Sequence, residues 1–325
     1  MVKRIKKKER GVALLAVLLG VAMMTLIVVD FAMTSGLGFV SAANQANELR
    51  ANYLARSAIS VGLGLLAASA RAQALAQTAA NQTTNTSTAD TLNDPWAAPF
   101  PPMPLEGGTV SLSIVDEDRK LNINSMVVNG RPNLPAIQKM QRLFTVLDVD
   151  VNLVQAMVDW ITPNGGNSIG GDYYLQLKPP YQPRYGPMPT LGDLQMVKGF
   201  NEAIFNRVSP FLSVITQNLN QVNVNTAPPQ VLAALEPVLM EDQKLVMTIV
   251  DYRAQQPFSN PTDVLNLLNL PNQSGPTGLS NDIVVKSGYF TISGMGTYAG
   301  ARKIVTATFQ RQQNGVGILN AWRED

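Results

Sequence analysis

The alternation of apolar and polar positions changes rhythm along this chain. A basic tail gives way to an uncharged apolar run from Val12 to Val29. Eighteen such residues span roughly 27 Å as a helix, about the thickness of a bilayer core. Ala42 to Gln82 is rich in alanine, leucine, glutamine and asparagine and holds no proline. Within it Leu49, Tyr53, Leu54, Ala58, Val61, Leu65 and Leu66 fall at three- and four-residue spacings, one stripe of a helix. The pattern predicts one helix over 12–80, with 12–29 transmembrane, loosened at Gly36 and Gly38 near the membrane surface.

Residues 81–105 read as a linker: threonine, asparagine and serine, then Pro95, Pro99, Pro101, Pro102 and Pro104. Val110, Leu112 and Ile114 then alternate with polar residues, the period of a half-buried strand. Helical patterning fills 119–283, and strands return at Tyr289–Met295 and Lys303–Phe309, with Gly296 and Gly300 as turn residues between them. The class is therefore α+β: a long N-terminal helix, an antiparallel β region from 106–118 plus 284–325, and a large helical insertion at 119–283. The insertion is internally duplicated, with units at about 119–200 and 219–283. Leu121-Asn122-Ile123-Asn124-Ser125 opens the first copy and Val222-Asn223-Val224-Asn225-Thr226 the second, each with Asn and Ser or Thr where an N-cap is wanted. Val158-Asp159-Trp160 and Val250-Asp251-Tyr252 follow in order, and the first copy carries a longer loop, Thr162 to Pro187.

Charge sharpens the N-terminal reading. The net charge is +2, yet residues 1–11 hold six basic groups against Glu9, so the remainder is mildly acidic. The positive-inside rule leaves residues 1–10 in the cytoplasm and exports the rest. An acidic body gives no electrostatic case for binding nucleic acid. With no cysteine and no histidine, disulfides, thiolate chemistry and the commonest general base and metal ligand are excluded. No nucleophile, base and oxyanion donor assemble from the sequence, so the expected role is not enzymatic and needs no cofactor.

Lys6-Lys7-Lys8-Glu9-Arg10-Gly11 followed by Val12-Ala13-Leu14-Leu15-Ala16 resembles a type IV prepilin leader. The resemblance implies a leader at 1–11, cut by a prepilin peptidase between Gly11 and Val12. Most pilins carry glutamate five residues after the cut, where it neutralises the terminal amine of the subunit ahead; here that position is Ala16. A subunit with none ahead needs no such glutamate, which points to a filament tip. Asp159-Trp160-Ile161, Lys178-Pro179-Pro180-Tyr181, the segment Gln221–Ala227 and Ser287-Gly288-Tyr289-Phe290 extend the likeness. Over essentially the whole chain, the sequence resembles the protein K family of the type II (general) secretion pathway, the large minor pseudopilins. That resemblance implies two SAM-like units inserted in a pilin fold. It also implies an inner-membrane anchor with a periplasmic body, and other minor pseudopilins and the major pseudopilin as partners. Two alternatives stand beside it: a minor pilin of a type IV pilus, and a membrane-tethered helix-hairpin-helix DNA-binding protein.

The family further implies calcium in the loop after Asp-Trp-Ile. Asp159, Asn164 and Asp172 are the candidate ligands. Gly171, and Thr162 or Asn164, stand where the family's carboxylates are expected, and calcium wants six to eight oxygens. A loop held only by packing of Tyr173, Tyr174 and Tyr181 is the alternative. The acidic triple Asp116-Glu117-Asp118 reads as a solvated turn after a strand, and Trp160 as core. Asp30, just past the lipid run, reads at headgroup level.

Overall fold

A computed structural model describes residues 7–80, 89–163, 171–215, 220–269, 278–312 and 317–325. The helix α1 runs unbroken from Lys7 to Ala80. It starts before Gly11 and passes through Gly36 and Gly38 without a break. Each exposed glycine costs a helix only about 1 kcal/mol relative to alanine.

The expected stripe on α1 is partly corrected. Leu54, Ala58 and Leu66 are buried, but Leu49, Tyr53 and Val61 are exposed. The buried line is Ala51, Leu54, Ala55, Ala58, Ile59 and Leu66. The reason lies in the sheet below. A Cβ at Gly294 would overlap the Ala55 carbonyl, and one at Gly296 the Ala51 carbonyl. Helix and sheet backbones touch there, so small residues on α1 are selected.

Residues 89–105 are docked, which corrects the linker reading. Trp96 is buried with its ring edge-on to Phe290, centroids 5.0 Å apart, and Asp90 N–H donates to the Val285 carbonyl at 2.9 Å. Prolines bar a helix but not packing. Strand β1 (Met103–Leu105) and strand β2 (Gly108–Asp116) follow.

The first helical unit contains β3 (Leu121–Asn122), the two-residue strands β4 (Val127–Val128) and β5 (Arg131–Pro132), α2 (Leu134–Val146), α3 (Asn152–Ile161), α4 (Gly171–Leu175), α5 (Glu202–Val208) and β6 (Leu212–Ser213). The second contains β7 (Val222–Asn223), α6 (Pro229–Leu235), α7 (Pro237–Glu241), α8 (Gln243–Gln255), α9 (Pro261–Leu267), α10 (Leu279–Asp282) and β8 (Ile283–Val284). Each unit closes the same way, by a short parallel pair: β3 with β6 and β7 with β8. The first unit therefore extends past residue 200, because its closing strand is β6. The units are not separate bodies. One apolar core runs from Leu121 through Phe144, Trp160 and Leu232 to Ile283. Buried Lys139 Nζ on α2 meets Asp282 Oδ1 of the second unit at 2.5 Å. Arg142, also on α2, donates to the Ala234 and Leu235 carbonyls at the end of α6.

The chain then returns to the sheet as β9 (Tyr289–Tyr298), β10 (Ala301–Arg311) and β11 (Gly317–Glu324). The five-stranded order is β1-β2-β9-β10-β11, antiparallel throughout. Gly296 lies inside β9, not in the turn, which is Ala299-Gly300 with both residues at positive φ. Asp116 and Phe290 are ladder partners, so the whole insertion leaves and re-enters the sheet at one place.

Candidate assembly surface and buried joint

Two features stand out once the fold is built. The first is the bare half of α1. Every residue from Gly11 to Ala46 is exposed, including fifteen large apolar side chains from Val12 to Met33. Among the described residues one helix, α1, is long and apolar enough to cross a membrane. Such a surface is stable only against lipid or other apolar helices. Gly11, Val12 and Ala16 all lie on it, in regular helix and open to contact.

The second is a polar joint beneath the insertion, built from the duplicated motif. In both copies the second Asn clamps a backbone segment with its amide. Asn124 donates to the Met188 carbonyl and accepts from the Met188 N–H. Asn225 does the same with Phe258. The first Asn differs between copies. Asn122 binds both backbone groups of Ile215, inside its own unit. Asn223 reaches out instead, donating to Ser287 Oγ at 2.7 Å, to the Asp90 carbonyl at 3.1 Å and to Asp116 Oδ2 at 3.3 Å.

Asp116 is the centre of this joint. Its Oδ2 also accepts from Thr226 Oγ1 at 2.5 Å and Ser287 Oγ at 2.6 Å, and its Oδ1 from the Asp118 N–H at 2.9 Å. Asp118 Oδ2 accepts from the Gly288 and Tyr289 amides. Asp90, fully buried, takes the Ser287 N–H and pairs with Arg311 at 2.7 Å. Burial pushes both inner carboxyls up, Asp116 to about 6 and Asp118 to about 7. The hydrogen bonds work against that rise, while the charge of Asp90 adds to it at Asp116 and that of Asp116 at Asp118.

The acidic triple is thus buried, a correction of the solvated-turn reading. A signal was present: Asp116 continues the buried alternation of Val110, Leu112 and Ile114. No local pattern marked Asp90 or Arg311, which come from distant segments.

The loop after α3 is anchored by aromatic packing. Trp160 is core, as expected, edge-on to Tyr174 at 5.3 Å and to Tyr181 at 6.3 Å. Tyr181 Oη donates to the Met196 carbonyl at 2.8 Å, and Tyr174 Oη accepts from the Lys198 N–H at 3.0 Å. Asp159 accepts from Gln155 Nε2 at 2.8 Å. Asn164 lies outside the described residues, as does the side chain of Asp172, whose backbone belongs to α4. Among the described residues no three carboxylates come together as a metal cluster. Asp159 is the one candidate ligand whose side chain is among the described residues, and calcium requires six to eight oxygens.

Comparison with known proteins follows the same division. Two family models, both described as type II secretion system (T2SS) protein K, match residues 119–217 and 222–286. Together they cover half of the chain and coincide with the two helical units. The type II secretion system protein K of Pseudomonas aeruginosa is 27% identical over 320 residues, covering 95% of this chain and 91% of that protein. That of Klebsiella pneumoniae is 25% identical, covering 74% of each. The crystal structure of the GspK-GspI-GspJ complex from the enterotoxigenic Escherichia coli type 2 secretion system contains a chain of like fold. Its TM-score is 0.68 at 18% identity, covering 88% of this chain and 99% of that one. The chain belongs to the type II secretion system protein K family.

Proposed function

We propose that this chain is a minor pseudopilin that nucleates or caps the periplasmic pseudopilus of a type II secretion system, supporting export of folded proteins across the outer membrane. The observation that carries the reading is the division of α1. Residues 51–66 are sealed onto the sheet while 11–46 stand free. A rigid body is thereby presented on an apolar helix that only a membrane or neighbouring helices satisfy.

In this reading a prepilin peptidase cuts between Gly11 and Val12, the precursor sits in the inner membrane as a single span, and the body lies in the periplasm. Ala16 leaves the tip helix without a carboxylate that would have no amine to pair with. Other minor pseudopilins and the major pseudopilin pack against residues 12–46. Mass spectrometry of the mature protein from a peptidase-competent host is expected to find Val12 first. Gly11→Leu should block trimming. An intact leader in that host, or failure to co-isolate with small minor pseudopilins, overturns the reading.

A further inference from the structure

Asp30 is the single charged residue between Arg10 and Glu48. The linear pattern placed it at the end of the lipid run. The structure places it inside an apolar surface, because α1 continues without a break and Phe31, Met33, Leu37, Phe39 and Val40 are all exposed, Phe39 by 79%. Its helical neighbours at three and four residues are Leu26, Ile27, Met33 and Thr34. After the cut, the nearest cations along the helix are the Val12 amine, eighteen residues away, and Arg50, twenty residues away, about 27 and 30 Å at 1.5 Å per residue. No ion pair or hydrogen bond within the described residues engages its carboxylate.

The bilayer cannot satisfy this surface alone. Residues 12–40 form a mainly apolar stretch whose single charged side chain is Asp30, roughly 43 Å long against a core of about 30 Å. Fitting it wholly inside would take a tilt of roughly 45°, beyond the usual range. It would also bury the carboxylate in hydrocarbon, where an unpaired charge is costly. With Asp30 instead at the headgroups, Phe31–Val40 projects about 15 Å. That exceeds the headgroup layer of about 5–8 Å on each side. Those side chains then need cover from protein, and the covering element lies beside Asp30. Both registers place covering protein beside this carboxylate, and the register that buries it asks that protein for a cation.

We infer that Asp30 forms an ion pair with a lysine or arginine side chain on the apolar helix of a second membrane-anchored subunit, fixing the axial register between the two. This rests on the assembly reading above and deepens it.

The test uses the full-length chain, co-expressed with candidate small minor pseudopilins and isolated from detergent-solubilised membranes. Wild type is expected to bring a partner with it. Asp30→Asn should lower the co-isolated partner several-fold, Asp30→Lys by about tenfold or more, while Asp30→Glu retains it. Asp30→Lys combined with a partner's Lys→Asp or Arg→Asp should restore the yield at one partner position only. The chain contains no cysteine, so Asp30→Cys gives a unique thiol for cross-linking to that same position. Asp30→Asn makes the helix more apolar and cannot fail by blocking insertion. Equal partner yields from wild type, Asp30→Asn and Asp30→Lys would overturn the ion pair while leaving the assembly reading intact. A wild-type chain that brings down no partner overturns both.

Discussion

The two helical units begin with nearly the same five residues and use them differently. In the first, Asn122 closes its own unit by gripping Ile215. In the second, Asn223 grips Asp90, Asp116 and Ser287, which belong to the segments that enter and leave the sheet. Ser125 Oγ turns back to the Asn122 carbonyl at 2.6 Å, whereas Thr226 Oγ1 reaches Asp116. A duplicated motif has kept its local turn and changed its tertiary partner. The first copy closes its own unit. The second became the fastening of the whole insertion to the pilin-like body.

If that division is right, equivalent substitutions should have unequal costs. Asn223→Ala strips one of its donors from buried Asp116 and leaves Ser287 and the Asp90 carbonyl short of a partner. We expect a loss of about 3 kcal/mol or more, since buried groups left unsatisfied cost about 1–3 kcal/mol each and charged ones more. Asn122→Ala leaves neutral backbone groups of Ile215 and the turn unsatisfied, for about 2 kcal/mol. Denaturation of the full-length protein in detergent checks both. Equal losses would break the comparison.

Titration sharpens it next. Asp116 and Asp118 have folded pKa values raised from 3.8 to about 6 and about 7. The folded state therefore holds more protons than the unfolded state between those limits. Their contribution to stability is complete below about pH 4 and is lost as pH rises through 6 and 7. Asp116→Asn should flatten the curve. A profile indifferent to Asp116→Asn would place the titration elsewhere.

The smallest effect belongs to the first unit's loop. Its implied calcium set is poor, so any binding is expected at the millimolar end, and a loop held by packing alone shows none. A few millimolar calcium should then stabilise the protein by under about 1 kcal/mol. Asp172→Ala should remove whatever shift exists, and a large shift surviving that change would put the ion at another site.

Much of this architecture was legible from local patterns. The 3.6-residue and two-residue periods depend only on neighbours in sequence, so α1, β2 and the late hairpin could be read directly. So could the duplication, because each Asn-x-Asn turn makes its own short-range contacts. The docking of Asp90 and Trp96, the strand β11 and the exposed state of Leu49, Tyr53 and Val61 could not. They depend on which surface arrives from far along the chain.

The sequence by itself determined that there is one apolar helix with a basic end, an α+β body and a repeated helical insertion. Periodicity and charge are carried by residues close together, and their energetics are local. Only the tertiary structure decided where the acidic triple goes. Asp116, Asp118 and Asp90 tolerate burial because Asn223, Thr226, Ser287, Gly288 and Arg311 converge on them. Without those donors the cost of desolvating the carboxylates would have kept them in water. Donors from so many separate segments meet only after the chain has folded.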